Sequence, residues 1–316
     1  MRLFFAPDPD LEQRLSRVLE QLWADFPTLA QTQIAVTWIV YNPPYITNTG
    51  GALSSVEFWQ HHPRGAHYRG VELIYPASVV KLFYLVAAHE WLEQDMMSPS
   101  PELDRALHDM IVDSSNDATS LVIDVLTGTT SGPELPAGPF TTWQYQRNII
   151  NRFFQSLQWP ELEAVNLNQK TWCDGPYGRE RAFLGELYEN RNRLTTNAVA
   201  RLVHGIAGGV AVSAARSQAI LSLMQRKLDT ERPVSDEEDQ ITGFLGAGLP
   251  ANTRFYSKAG FTSQVRHDAA YAEIPGCHPF VLVVFTEGRE HSKNKLMLPY
   301  LATLIAEQVS LLSQAT

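Results

Sequence analysis

The stretch Ser78-Val79-Val80-Lys81 runs directly into Leu82-Phe83-Tyr84-Leu85-Val86-Ala87-Ala88, so two reactive side chains stand at the start of a segment apolar enough to be a buried helix. Positions i and i+3 share a helix face, which makes the Ser78 hydroxyl and the Lys81 amine neighbours. A lysine whose stem lies in an apolar helix is partly desolvated; its pKa falls and it can act as a base at neutral pH. A base beside a hydroxyl is the minimal requirement for a serine nucleophile. The pattern S-x-x-K is common by chance, so its meaning depends on what surrounds it.

Residues 8–25 place Leu11, Leu15, Val18, Leu19, Leu22 and Trp23 at helical spacing. Residues 32–41 are β-rich and mostly apolar, and Asn42-Pro43-Pro44 ends that strand. The polar stretch to about residue 66, containing Gly50-Gly51, reads as a long loop, and a second strand is expected around 68–74. Helical periodicity recurs at 102–112, 116–127, 143–157 and 195–207, separated by Gly- and Pro-containing loops. Three strands follow, starting at Arg254, Val265 and Phe280, with turns at Ala259-Gly260 and Pro275-Gly276. Residues 293–313 form a last amphipathic helix. Strands from both ends can share one antiparallel sheet covered by the terminal helices, with the middle of the chain as a helical second lobe.

The 316 residues suffice for one large domain or two lobes, and the apolar and charged contents are those of a soluble globular protein. A net charge of −9 without a long basic run argues against nucleic acid or an anionic membrane as partner. No stretch approaches the roughly 18 apolar residues that span a bilayer. The first residues, Met1 to Asp8, lack the pattern of a secretory signal, so a cytoplasmic location is expected if Met1 is the natural start, and a periplasmic one if a leader has been removed. Cys173 and Cys277 are more economically read as free thiols than as a disulfide. Cys173, in Trp172-Cys173-Asp174-Gly175, has no catalytic context and reads as structural. His61, His62 and His67 lie in a Pro/Gly loop without partnering Cys or acidic residues, so no metal and no cofactor is expected. Nothing in the sequence distinguishes a monomer from a dimer.

Two further pieces give Ser78 and Lys81 their context. Asp113-Ser114-Ser115-Asn116-Asp117 is a polar cluster between two apolar segments; alone it would be a helix N-cap region. Ser257-Lys258-Ala259-Gly260 ends a strand, and its glycine would let a ligand backbone approach closely. Taken in order, Ser78-x-x-Lys81, Ser114-x-Asn116 and Lys258-Ala259-Gly260 resemble the S-x-x-K, S-x-N and K-T-G triplet of the penicillin-recognising serine enzymes, the class A β-lactamases and penicillin-binding proteins. Arg193-Leu194-Thr195-Thr196 is similar to the end of that family's omega loop, and Arg266 and Asp268 fall on the strand after the third motif. The resemblance spans about residues 30 to 312.

The resemblance implies a two-lobed α/β (α+β) fold: a five-stranded antiparallel sheet flanked by the terminal helices, from residues 1–75 and 250–316, and an all-helical lobe from 76–249, with the site between them. It implies that Ser78 attacks a carbonyl to form an acyl-enzyme, that Lys81 takes its proton, and that Ser114 relays a proton to the leaving nitrogen. Asn116 would bond Lys81 and a substrate amide. Lys258, with Arg266 as an addition, would anchor a substrate carboxylate. Ala259 stands at the edge of that anchor, and the backbone N–H of Ser78 with that of Gly260 or Phe261 would form the oxyanion hole. The expected partner is a small-molecule or peptide-like substrate carrying a carbonyl.

Four departures qualify this. The omega-loop Glu that activates the deacylating water is not in its place: counting back from Arg193 lands on Arg181, and Glu180 and Glu186 are the nearby weak candidates. Ala259 replaces the hydroxyl of K-T-G, removing one hydrogen bond worth ~1 kcal/mol. Ser115 replaces the middle Asp of S-D-N, and the spacing from Lys81 to Ser114 is shorter than in class A enzymes. The expected function is therefore a serine hydrolase acting on an amide, lactam or ester, with deacylation in doubt. A penicillin-binding-protein-like peptidase or esterase, a glutaminase-type amidohydrolase, and a catalytically silent binding protein on the same fold stay as alternatives.

Overall fold

The structure, a computed structural model, describes residues 3–42, 53–228 and 239–314. The Pro43-Pro44 break and the Gly50-Gly51 loop lie outside the described residues.

A single sheet organises the molecule. Its strands are β1 (Ala6–Pro7), β2 (Ile34–Val40), β3 (Arg64–Tyr68), β4 (Gln225–Arg226), β5 (Arg254–Phe261), β6 (Val265–Glu273) and β7 (Phe280–Glu287), in the spatial order β1-β3-β2-β7-β6-β5-β4. The expectation of five strands is corrected to seven among the described residues. The five longer strands pair antiparallel; the two additions are two-residue edge strands, of which β1 pairs parallel with β3. Such short pairings carry no alternation and leave no periodic signal in the sequence.

The two faces of the sheet explain why β2 and β7 read as unbroken apolar runs. Side chains alternate between faces. Ile34, Val36, Trp38 and Val40 join Phe280, Leu282 and Val284 in one core, under the helices Pro9–Asp25 and Met297–Gln314. Ala35, Ile39, Tyr41, Val281, Val283 and Phe285 face the other core, against the helix Thr196–Ala207 and the rest of the helical block. Each large side chain buried this way contributes about 1.5–3 kcal/mol relative to exposure. The first helix starts where Asp8 accepts a hydrogen bond from Leu11 N at 3.0 Å, with Pro9 at its first position.

The turn expected at Ala259-Gly260 falls instead at residues 262–264, since both residues are paired within β5, and two elements also differ from the sequence pattern. The strand expected at 68–74 ends at Tyr68; Arg69 takes a left-handed φ of 50°, and Ile74 instead bridges to Leu194. The helix expected over 143–157 is two helices, Ala137–Arg147 and Ile149–Ser156, meeting at Asn148. The Asn148 side chain there donates to Gln144 O and accepts from Asn151 and Asn168, so tertiary partners fix the break.

The helix Lys81–Glu93 lies at the centre of the helical block. It is apolar all round because it is surrounded: every residue from Lys81 to His89 is buried. Its N-terminus points at the edge of the sheet where β5 runs, and the candidate site forms there.

Candidate active site

Ser78 sits in a 3₁₀ turn, Ala77–Val80, that leads into the Lys81 helix; Lys81 N donates back to Ser78 O. Residues i and i+3 of a 3₁₀ turn eclipse one another, which stacks Ser78 and Lys81 on one side. The turn is entered through Ala77 at φ 45°, a left-handed conformation that non-glycine residues rarely hold. Ser78 is half-buried, whereas Lys81 is completely buried.

The Lys81 amine is gripped by the second motif. Nζ donates to Ser114 O at 2.5 Å and to Asn116 Oδ1 at 2.9 Å, with Ser114 Oγ at 3.3 Å and Ser115 O at 3.4 Å. Ser114 also adopts a left-handed φ, 57°, which turns its carbonyl and hydroxyl to the same side. Ser115 is the N-cap of the helix Asn116–Thr127, accepting from Ala118 N at 3.1 Å. The polar cluster is therefore a helix start and a lysine cradle at once.

Lys258 reaches the same hydroxyl from β5. Its Nζ donates to Ser114 Oγ at 2.9 Å, to Gln240 Oε1 at 2.6 Å and to Ala259 O at 2.9 Å, which uses all three ammonium hydrogens. Gln240 in turn donates to the carbonyls of Ile111 and Val112, at 3.0 and 2.8 Å. Arg226 bonds Ile111 O and Ser257 O. These two side chains tie β5 to the end of the helix Pro101–Val112, whose last residues precede Ser114.

Burial sets the electrostatics. It pulls Lys81 down from 10.5 to about 7, so a large fraction is the free amine at neutral pH; a Cys173 thiolate would oppose this. Lys258, buried beside Lys81 and Arg226, is pushed well below the ordinary lysine value. Arg226 is lowered to about 10, and buried Asp268 is raised to about 7 despite accepting from Leu245 N and Ala269 N. Ser114 Oγ thus lies between two amines that differ in position and not in type, an arrangement able to pass a proton.

Gly260 brings β5 against the Ser78 turn. A Cβ there would stand 2.8 Å from Pro76 O and 3.1 Å from Val79 N, so any side chain would push the strand away. Ala259 is buried, and Phe261 is 48% exposed at the strand end. Arg266 does not reach the lysines. Its guanidinium lies between the Phe244 and Phe261 rings, 4.6 Å from each centroid, and donates to Ser292 O and Gly243 O. His267 accepts from Thr286 N at 3.0 Å through Nδ1 and lies 2.8 Å from Tyr75 O through Nε2, which leaves it neutral and structural.

Neither carboxylate considered for deacylation touches Lys81 or Lys258. Glu180 is fully buried in a separate network, accepting from Arg147 at 2.7 and 3.0 Å and from Ser131 Oγ at 2.8 Å, with Lys170 Nζ 3.8 Å away. Glu186 is exposed on the turn after the helix Gly178–Leu184. Among the described residues, no carboxylate hydrogen-bonds or ion-pairs with Lys81.

Two residues join the site without having been singled out from sequence. Gln240 is one, and no motif announces it. The other is Cys173, read above as structural: its exposed sulfur accepts from Asn116 Nδ2 at 3.2 Å. Both meet their partners through tertiary folding and not through local spacing.

The comparisons with known proteins agree with this architecture. The profile of the Beta-lactamase enzyme family matches residues 100–309, and the chain belongs to that family. The match begins after Ser78 and Lys81. Solved structures of the same fold include a β-lactamase from Sphaerobacter thermophilus, 18% identical with a TM-score of 0.63, covering 94% of this chain and 98% of that one. A mutant of PBP-A, solved as an acyl-enzyme complex with penicillin G, is 14% identical with a TM-score of 0.63 over 96% and 97% of the two chains. A β-lactamase from Burkholderia vietnamiensis is 13% identical with a TM-score of 0.60 over 92% and 94%. No curated protein matches the chain. Among the described residues, no helix is long and apolar enough to cross a membrane.

Proposed function

We propose that this β-lactamase-family protein is a serine hydrolase that acylates Ser78 with an amide, lactam or ester carbonyl and releases the acyl group slowly. The observation that carries the reading is Lys81: a buried amine with a pKa of about 7, one helical turn from Ser78 and hydrogen-bonded to Ser114 and Asn116.

In this reading the free Lys81 amine takes the Ser78 hydroxyl proton as Oγ bonds to the carbonyl carbon. The negative charge on the carbonyl oxygen is met by backbone N–H groups at the start of the Lys81 turn and on β5, which Gly260 lets approach. The proton then passes from Lys81 to Ser114 Oγ, whose own proton goes to the leaving nitrogen or oxygen as the carbonyl–leaving-group bond breaks. Lys258, against Ser114 Oγ, favours the negative charge on that oxygen during the relay. Water must then cleave the acyl ester. Slow release is proposed because Glu180 is committed to Arg147 and Glu186 faces solvent, which leaves no carboxylate beside Lys81 among the described residues. The PBP-A complex with penicillin G lends support from a protein of similar fold.

The test is intact mass after mixing with a fluorescent penicillin and a chromogenic cephalosporin. The expected result is a stable adduct that disappears in Ser78→Ala. Fast turnover would overturn the slow-release part. No adduct, with Ser78→Ala behaving as wild type on a panel of amides and esters, would overturn the whole reading.

A further inference from the structure

We propose that Cys173 is a specificity-determining residue of the cleft: its thiol occupies the acceptor place beside the Asn116 amide that a substrate carbonyl has to take. The inference rests on the acylation of Ser78 proposed above. Asn116 has two ends. Its Oδ1 accepts from Lys81 Nζ at 2.9 Å, and that bond fixes the amide orientation so that Nδ2 points away from the lysine. The group that meets Nδ2, at 3.2 Å, is Cys173 Sγ. Cys173 is exposed, so this contact lies at the open side of the site and not in the packed interior.

The thiol is not an isolated surface group. The segment that carries it is held from behind. Asn192 accepts from Asn168 N and Gln169 N and donates to Gln169 O, and Lys170 is bound by Asp124 and Ser131. Two residues before Cys173, the Thr171 hydroxyl is 7% exposed and has no hydrogen-bond partner among the described residues. A buried hydroxyl without a partner is costly. Sulfur is a weak acceptor. A ligand carbonyl oxygen replacing it on Nδ2 gains a stronger hydrogen bond but must displace the thiol to do so. Ligands with an amide carbonyl next to the reacting carbonyl pay this displacement; ligands without one do not.

The discriminating measurement is the ratio of Ser78 acylation rates, by intact mass, for penicillin G and for 6-aminopenicillanic acid, which lacks the side-chain acylamide. Cys173→Ala should raise that ratio at least about threefold. Cys173→Ser, which keeps an acceptor at the same place, should return it towards the wild-type value. Cys277→Ser, on the turn between β6 and β7, should leave it unchanged. An unchanged ratio in Cys173→Ala, or equal changes for both compounds, would overturn the proposal, since a merely structural thiol would move both rates together. A separate arm needs no catalysis: iodoacetamide labelling of Cys173, read by peptide mass against Cys277, should shift at least about twofold in Asn116→Ala. Unshifted labelling would remove the contact itself. If neither compound acylates Ser78, the acylation reading fails and the specificity role with it, while shifted labelling would still report the Asn116–Cys173 bond.

Discussion

At the residue scale, the site is a contest for one hydroxyl. Ser114 Oγ has Lys81 Nζ at 3.3 Å and Lys258 Nζ at 2.9 Å, and both lysines are buried. Two ammonium groups so close repel, which adds to desolvation in favouring loss of a proton from one of them. With Lys81 at about 7, the base is the form that grows as pH rises. The acylation rate is therefore expected to climb about tenfold per pH unit below 7 and to level off above it. Lys81→Met should lose roughly 10²–10⁴ of the rate and the pH dependence together. Stopped-flow fluorescence with a labelled penicillin measures both; a flat profile in the wild type would remove Lys81 from the role of base. The lysines and their partners were legible because each lies in a short motif, Ser78 three residues from Lys81 and Ser114 two from Asn116. Cys173 was not: it stands 57 residues from Asn116, and only the packed chain brings them together. Gln240 is nearer in sequence to Lys258, 18 residues, but a single glutamine after a run of acidic residues carries no spacing signal.

At the element scale, the segment that carries Cys173 is fastened by charge and amides as well as by apolar contacts such as buried Leu167 and the Phe183–Trp143 ring pair. Arg147, Glu180, Asp124 and Lys170 form a network in which Arg147 and Glu180 have no exposed side-chain surface. Removing one member of such a pair leaves a buried charge unpaired, a loss of about 3–5 kcal/mol. Glu180→Ala is thus expected to lower stability by that amount, read as the free energy of urea unfolding, while the folded fraction keeps the wild-type lifetime of its acyl adduct. A lifetime that lengthens markedly with unchanged stability would restore Glu180 as a catalytic base. The regular elements around this segment were readable from periodicity, and the polar cluster at 113–117 as a helix start: Ser115, like Asp8 and Ser100, accepts from the backbone N–H three residues on. The break at Asn148 and the end of β3 at Tyr68 were not, because asparagine side-chain partners from residues 151 and 168, and the bridge to Leu194, decide them. Local propensity has no access to such contacts.

At the scale of the whole molecule, packing the sheet between two cores has buried histidines that cannot be charged in place. His89, His204 and His267 are held near 4, 3 and 4, in each case chiefly by burial, against 6.5 when exposed. Among the described residues His89 has no hydrogen-bond partner on either ring nitrogen, and His204 is enclosed by Phe4, Tyr41, Phe58 and Trp59. For a group whose folded pKa is depressed, the unfolded chain binds the extra proton. The stability is therefore fully present above pH 6.5 and is lost as pH falls towards 4. Asp268 acts in the opposite sense. Its folded pKa of about 7 exceeds 3.8, so between those values the folded state holds the extra proton. Asp124 and Glu287, also raised by burial, act with Asp268 at the acid end of the window. Near pH 5.5 three histidine protons stand against one on Asp268, a net uptake of at most about two protons from these four groups on unfolding, and Lys258, also pushed down by burial, acts in the same sense as the histidines. Unfolding free energy should then fall by up to about 2.7 kcal/mol per pH unit on acidification below pH 6. Urea titrations at pH 7, 6 and 5.5 measure the slope, and His204→Gln should reduce it by about one proton's share, roughly 1.4 kcal/mol per unit. A stability that holds constant or rises from pH 6.5 to 5.5 would mean that Asp268 and its fellow carboxylates outweigh the three histidines, and that polar neighbours such as Tyr75 O at His267 and the Tyr41 hydroxyl at His204 offset the burial of an imidazolium.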